Sequence, residues 1–177
     1  VKGELPPADT WEVALSGGVD KREAFTRLLQ EKKLGYMATL QNLRNMVDAG
    51  VDTGLISQRL LAGAAKSPAL PFRFIAAAKA APQMATAVSD AMIQSAAALP
   101  KFDGRTALLI DVSGSMDHPL SAKSQLTRLD AASALAVLLR ETCAETRVFT
   151  FSDGLVEVGN WRGLPLVNEI ARSQAHS

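Results

Sequence analysis

Thr106-Ala-Leu-Leu-Ile-Asp-Val-Ser-Gly-Ser-Met116 is the stretch on which the reading of this chain turns. An apolar run leads into an acidic residue, and two hydroxyl residues follow on either side of a glycine. A short apolar run bounded by turn signals reads as a buried strand of a parallel sheet. Asp111, Ser113 and Ser115 then stand where that strand ends, the place where open α/β sheets bind ligands. One carboxylate and two hydroxyls are hard oxygen donors, suited to magnesium, calcium or manganese rather than zinc or copper. We therefore expect a divalent cation, magnesium first, on Asp111, Ser113 and Ser115. The competing reading is a strand followed by an ordinary Ser/Gly turn, with Asp111 accepting local backbone hydrogen bonds. A serine nucleophile fails. There is no Gly-x-Ser-x-Gly elbow, and Asp117-His118 lies too close in sequence to serve as base and orienter.

Downstream of the loop the patterns alternate. Strand 106–112 is followed by a helix over about 126–144, a strand over 147–152, a turn at Asp153-Gly154, a strand over 155–158 and a helix over 164–173. Strand, helix, strand argues for a parallel βαβ unit. Cys143 falls inside the helical pattern as a small buried hydrophobe, and as the only cysteine it allows no disulfide within the chain. Asp103-Gly104 reads as a junction.

Upstream, residues 9–99 read as helix after helix, with no strand pattern. Asp9 or Thr10 caps a short helix stopped at Gly17-Gly18, and Asp20 caps a helix over 21–33. Leu34, Met37, Leu40, Leu43 and Val47 predict one helix over 34–48, ended by Gly50. Asp52 or Thr53 starts another through 66. Pro71 suits a first helical position before 72–80, and Pro82 opens an alanine-rich helix reaching Leu99. Such succession looks like stacked helical hairpins of the HEAT type. The expected fold is therefore mixed: a helical-repeat segment over 1–100 and an incomplete α/β, Rossmann-like domain over 101–177. With one βαβ unit and one hairpin, that domain is short of strands, so we expect the chain to be a piece of a longer protein.

Composition bounds the function. With 47% hydrophobic and 21% charged residues the chain is globular rather than disordered. A net charge of +1 excludes a nucleic-acid binder driven by bulk charge, though not a local patch. No apolar run of about 18 residues is present, so no membrane span is expected. The lone cysteine fits a reducing compartment, and we expect a cytoplasmic protein.

The predicted helix over 34–48 carries a polar stripe. Gln41, Arg44, Asn45 and Asp48 fall at i, i+3, i+4 and i+7. Amides and arginine are the side chains that reach base edges and phosphates. The stripe is a candidate RNA-binding surface or, on its residues alone, a solvated face or inter-helix seam. Arg73, between Phe72 and Phe74, is likewise a candidate ligand contact or a cation against core aromatics.

Taken in order, Thr10-Trp-Glu-Val-Ala-Leu-Ser16, Lys33-Leu-Gly-Tyr-Met-Ala-Thr-Leu-Gln-Asn-Leu-Arg-Asn-Met46, Leu70-Pro-Phe-Arg-Phe74 and Ile110-Asp-Val-Ser-Gly-Ser-Met116 resemble the TROVE module and following von Willebrand factor A domain of the Ro autoantigen family. The resemblance covers about residues 4–177, and the block over 33–46 is its most specific part. It implies an RNA-binding protein without catalytic chemistry. It further implies a ring of helical repeats closed by the A domain, with small noncoding Y RNAs bound outside and single-stranded ends of misfolded RNA in the hole. An exoribonuclease such as polynucleotide phosphorylase is the implied protein partner, with neither DNA nor membrane. It also makes Gln41, Arg44, Asn45 and Arg73 RNA contacts and the Asp111 loop a metal-ion-dependent adhesion site. That site lacks its later threonine and acidic ligands here: Thr142 and Thr146 match neither, and Asp153 reads as a hairpin residue. The alternative is a protein-interaction module in which the metal bridges to a partner's acidic residue.

Overall fold

A computed structural model describes Val13, Gly18 and residues 20–66 and 69–174. The first expected helix, with Asp9, Thr10 and Gly17, lies outside the described residues apart from Val13, which is helical.

Helix α1 (Lys21–Gln30) starts where Asp20 accepts a hydrogen bond from the Glu23 amide at 3.1 Å, and it buries Ala24, Phe25, Leu28 and Leu29. It stops three residues short of expectation. Lys32 takes a left-handed conformation (φ 59°), and the Lys33 amide reaches back to the Leu28 carbonyl at 2.9 Å. That is a Schellman-type stop made without glycine.

The single helix expected over 34–48 is two: α2 (Tyr36–Gln41) and α3 (Leu43–Asp48). Asn42 divides them. Its buried side-chain amide donates to the Ala38 carbonyl at 2.9 Å, and its oxygen accepts from the Asn45 amide at 3.0 Å. Asparagine bonds to nearby backbone in competition with the helix ladder, which periodicity does not register. Helix α4 (Thr53–Ala64) is capped by Asp52, not Thr53, through the Leu55 amide at 2.7 Å. Pro71 opens α5 (Pro71–Ala80) as expected, and a 3-10 turn at Pro82–Met84 leads into α6 (Ala85–Ala97).

The second half holds β1 (Phe102–Asp111), α7 (Arg128–Thr142), β2 (Cys143–Phe151), β3 (Leu155–Val158) and α8 (Gly163–Gln174). Strands β1 and β2 pair in parallel, Leu108 beside Val148 and Ile110 beside Thr150, while β2 and β3 form an antiparallel hairpin. The expected βαβ unit is therefore present, within a three-stranded sheet of order β1-β2-β3. Two boundaries differ from expectation. Asp103 and Gly104 belong to β1, with an irregular register between Phe102 and Arg105. Cys143 opens β2 half-buried instead of sitting buried in the helix, because α7 ends at Thr142. At the other end of α7, Thr127 and Asp130 form a reciprocal capping box.

One continuous core crosses residue 100. Helices α5 and α6 pack against α7, and α8 packs against both α6 and α7. Polar ties reinforce this seam: Lys79 Nζ to Asp130 at 2.5 Å, Lys101 Nζ to the Glu141 carbonyl, and the Leu164 amide to Ser89 Oγ at 3.0 Å. Gly163 sits at φ +56°, and a Cβ there would lie 2.4 Å from Ser89 Oγ. Only glycine lets α8 approach α6 this closely. The helices cover the sheet face carrying Ile110, Val148 and Thr150, while Leu109 and Phe151 on the other face are exposed. The carboxyl ends of β1 and β2 consequently open side by side at one rim.

Candidate nucleic-acid groove and metal loop

The stripe expected on one helix is divided by the break at Asn42. Arg44 is exposed and pairs with Asp48 at 3.6 Å, and Asn45 donates to Asn42. Gln41, the last residue of α2, instead faces Arg73 across a groove of about 260 Å³. Met37, Leu40, Ala76, Ala77 and Ala80 floor this groove, and Gln125, from the loop before α7, closes it. Of the four sequence candidates, the structure brings Gln41 and Arg73 together and leaves Arg44 and Asn45 in local contacts.

Arg73 is exposed, with its guanidinium 5.5 Å from the centre of the Phe72 ring. The aromatic contact holds the side chain without burying its charge. Among the described residues no acid pairs with Arg73, and no carboxylate lines the groove. Gln125 is a contributor that the sequence did not reveal. Its loop reads only as a polar segment between the Asp111–Ser115 loop and α7, and the fold alone brings it beside α2 and α5.

The oxygen-rich loop lies on a different cleft. The Ser113 amide donates to Asp111 Oδ1 at 2.8 Å, and Ser113 Oγ stands 3.1 Å from Ser115 Oγ. The Ser113 amide, and then its hydroxyl, hold the Asp111 carboxyl below its ordinary value. The three expected ligands are thus neighbours. The hydroxyl separation matches the edge of about 3 Å between adjacent ligands of an octahedral ion with arms of about 2.1 Å. The residues fit a small hard cation by donor type and spacing. They also satisfy the simpler reading, in which Asp111 accepts the local backbone bond. Among the described residues no three His, Cys, Asp or Glu side chains converge, so any cation here depends largely on hydroxyl oxygens.

Next to the loop is a cleft of about 540 Å³, lined by Ser113, Gly114, Asp117, Ser152, Asp153 and Gln174 among others. Asp153 belongs to the β2–β3 turn, as its sequence suggests, and also faces this cleft. The parallel register explains why, because pairing Asp111 with Phe151 sets the loops after both strands side by side. Ser152 Oγ is buried there, with no hydrogen-bond partner among the described residues. Two acids line this cleft and none lines the groove. Electrostatics therefore direct cations to the first and anions to the second.

No helix among the described residues is long and apolar enough to cross a membrane. Among curated proteins, none matches the sequence. The crystal structure of the Deinococcus radiodurans RO (RSR) protein is similar to this fold, with a TM-score of 0.59 at 18% identity, over 95% of this chain and 45% of that one. This chain therefore spans less than half the length of that protein. The TROVE domain matches residues 2–147, from the helical half through β1 and α7 into β2. With most of its length inside that match, the chain belongs to the TROVE domain family.

Proposed function

We propose that this chain is an RNA-binding module of the Ro type, part of a HEAT-like ring closed by a von Willebrand factor A domain. Its ligands are small noncoding RNAs of the Y type and single-stranded ends of misfolded RNA, in cytoplasmic RNA quality control. Its role is binding without catalysis, alongside an exoribonuclease such as polynucleotide phosphorylase. The observation that carries this reading is the groove: an arginine and two amides around an apolar floor, with no acid among the described residues lining it or pairing with the arginine. Cation for phosphate, amides for base edges and apolar surface for base faces are what single-stranded RNA requires. Asp111, Ser113 and Ser115 hold a magnesium ion, or calcium or manganese, that orders the loop after β1 apart from the RNA.

The test is fluorescence anisotropy of this chain with a labelled RNA hairpin carrying a single-stranded tail, across a salt series and with or without chelator. We expect affinity to fall as salt rises and to change little with chelator. Arg73→Ala should lose about 1–3 kcal/mol and Arg44→Ala less, since Asp48 already engages Arg44. Absence of RNA binding would refute the reading. The cleft beside the exposed Ser115 favours a second one, a metal bridge to an acidic protein partner, which chelator would abolish and salt would affect less.

A further inference from the structure

We propose that the groove between α2, α5 and the loop before α7 holds a single nucleobase, with Gln41 and Gln125 reading its edge and Arg73 holding the adjoining phosphate. This assignment rests on the RNA-binding reading above and adds a specificity-determining residue, Gln125, from outside the helical half.

Size argues for one base. At about 260 Å³ the groove lies below the range of roughly 300–1,000 Å³ typical of drug-sized ligand sites. Chemistry argues for a base rather than an aliphatic group. The floor is made of Met37, Leu40 and alanine methyls, which accept a flat apolar face, and a thioether packs well on aromatic rings. Each glutamine at the rim offers a donor and an acceptor in one plane, the pattern that pairs with a base edge. No hydrogen bond within the described chain occupies either amide.

Preorganisation argues for a site. Gln125 sits in a pinned loop: Ser124 Oγ accepts from the Leu126 amide at 3.0 Å and donates to its carbonyl at 3.1 Å, and Leu126 is buried. The Leu120 amide binds the same Leu126 carbonyl at 2.9 Å, and Pro119 bridges to Thr127. Gln41 is placed by the end of α2 at Asn42, and the Arg73 guanidinium lies against the Phe72 ring. The three backbone positions are thus fixed on different elements, and a ligand has to order only the exposed side chains they carry. Amides that pair bidentately favour adenine over pyrimidines.

The experiment titrates this chain with labelled single-stranded oligomers of about 12 adenines, cytosines or uracils, within the usual site size for single-strand binders. The parent should prefer the adenine oligomer by about tenfold, the discrimination of one good amide–base pair. Gln125→Leu and Gln41→Leu keep side-chain bulk on exposed positions. Each should erase that preference while leaving the weakest ligand's affinity unchanged. Arg73→Gln should weaken all three alike and reduce the salt slope by about 0.7, one phosphate contact on a single strand. A folded Gln125→Leu variant that leaves all three affinities unchanged would overturn the pocket while the RNA-binding reading stood. A parent that binds none of the three oligomers, nor a structured hairpin, would overturn both.

Discussion

Gly63→Ala tests how the groove's wall is built. Gly63 lies near the end of α4, and a Cβ there would stand 2.4 and 2.9 Å from two ring carbons of Tyr36, the first residue of α2. The ring cannot simply slide away. It packs at 6.4 Å between centroids against Phe74, which is 1% exposed, and its buried hydroxyl has no hydrogen-bond partner among the described residues. Burial pushes that phenol up to about 12. Replacing glycine by alanine inside a helix gains about 1 kcal/mol of propensity. Forcing a methyl into a filled contact costs about 1–3 kcal/mol. The net expectation is a loss of up to about 2 kcal/mol, with each kcal/mol lowering the melting midpoint by about 2–4 °C at this size. Urea unfolding of Gly63→Ala, Tyr36→Leu and the double variant isolates the contact. With the ring removed the alanine has room, so in the Tyr36→Leu background it should stabilise by up to about 1 kcal/mol. Because α2 carries Met37, Leu40 and Gln41, Gly63→Ala should also weaken RNA binding. Equal stabilisation by Gly63→Ala in both backgrounds would refute the reasoning.

The other perturbations have definite signs. Arg162→Ala strips the partner from Glu141, whose side chain is 4% exposed; because Arg162 itself is 55% exposed, the loss in urea unfolding should be about 1–2 kcal/mol, with Arg162→Lys recovering part of it. Lys32→Gly removes the side chain from a left-handed position and should stabilise by about 1 kcal/mol in the same assay. The Asp111 carboxyl should titrate below its ordinary value of 3.8 by NMR, because the Ser113 amide holds its ionised form. Its contribution to stability is therefore present above the unfolded value and lost as pH falls through the lower folded one. Ser113→Ala leaves the backbone amide in place and should undo only the smaller part of that shift. Asp111→Ala should abolish magnesium binding in calorimetry while RNA affinity changes little.

Much of the fold is local and was legible. Asp20, Asp52, Gly50 and Pro71 mark helix ends through caps and fixed dihedrals, and the apolar run 106–110 with Asp153-Gly154 marks strand and hairpin. What escaped depends on competition or on tertiary position. Asn42 breaks a periodic helix by taking the Ala38 carbonyl, and Cys143 looks helical until α7 hands over to β2. The site divides the same way. Asp111, Ser113 and Ser115 are adjacent because they share one turn. Gln125 meets Gln41 only because α5 and α7 pack together, and nothing in the spacing of residues 41, 73 and 125 announces it.

Whether RNA occupies the groove is decided by photocrosslinking this chain to single-stranded RNA containing 4-thiouridine and mapping the modified peptides by mass spectrometry. Crosslinks are expected in the segments bearing Gln41, Arg73 and Gln125, suppressed by high salt and insensitive to chelator. Crosslinks confined to the Asp111–Ser115 loop or to the open sheet face at Leu109 and Phe151 would contradict that occupancy.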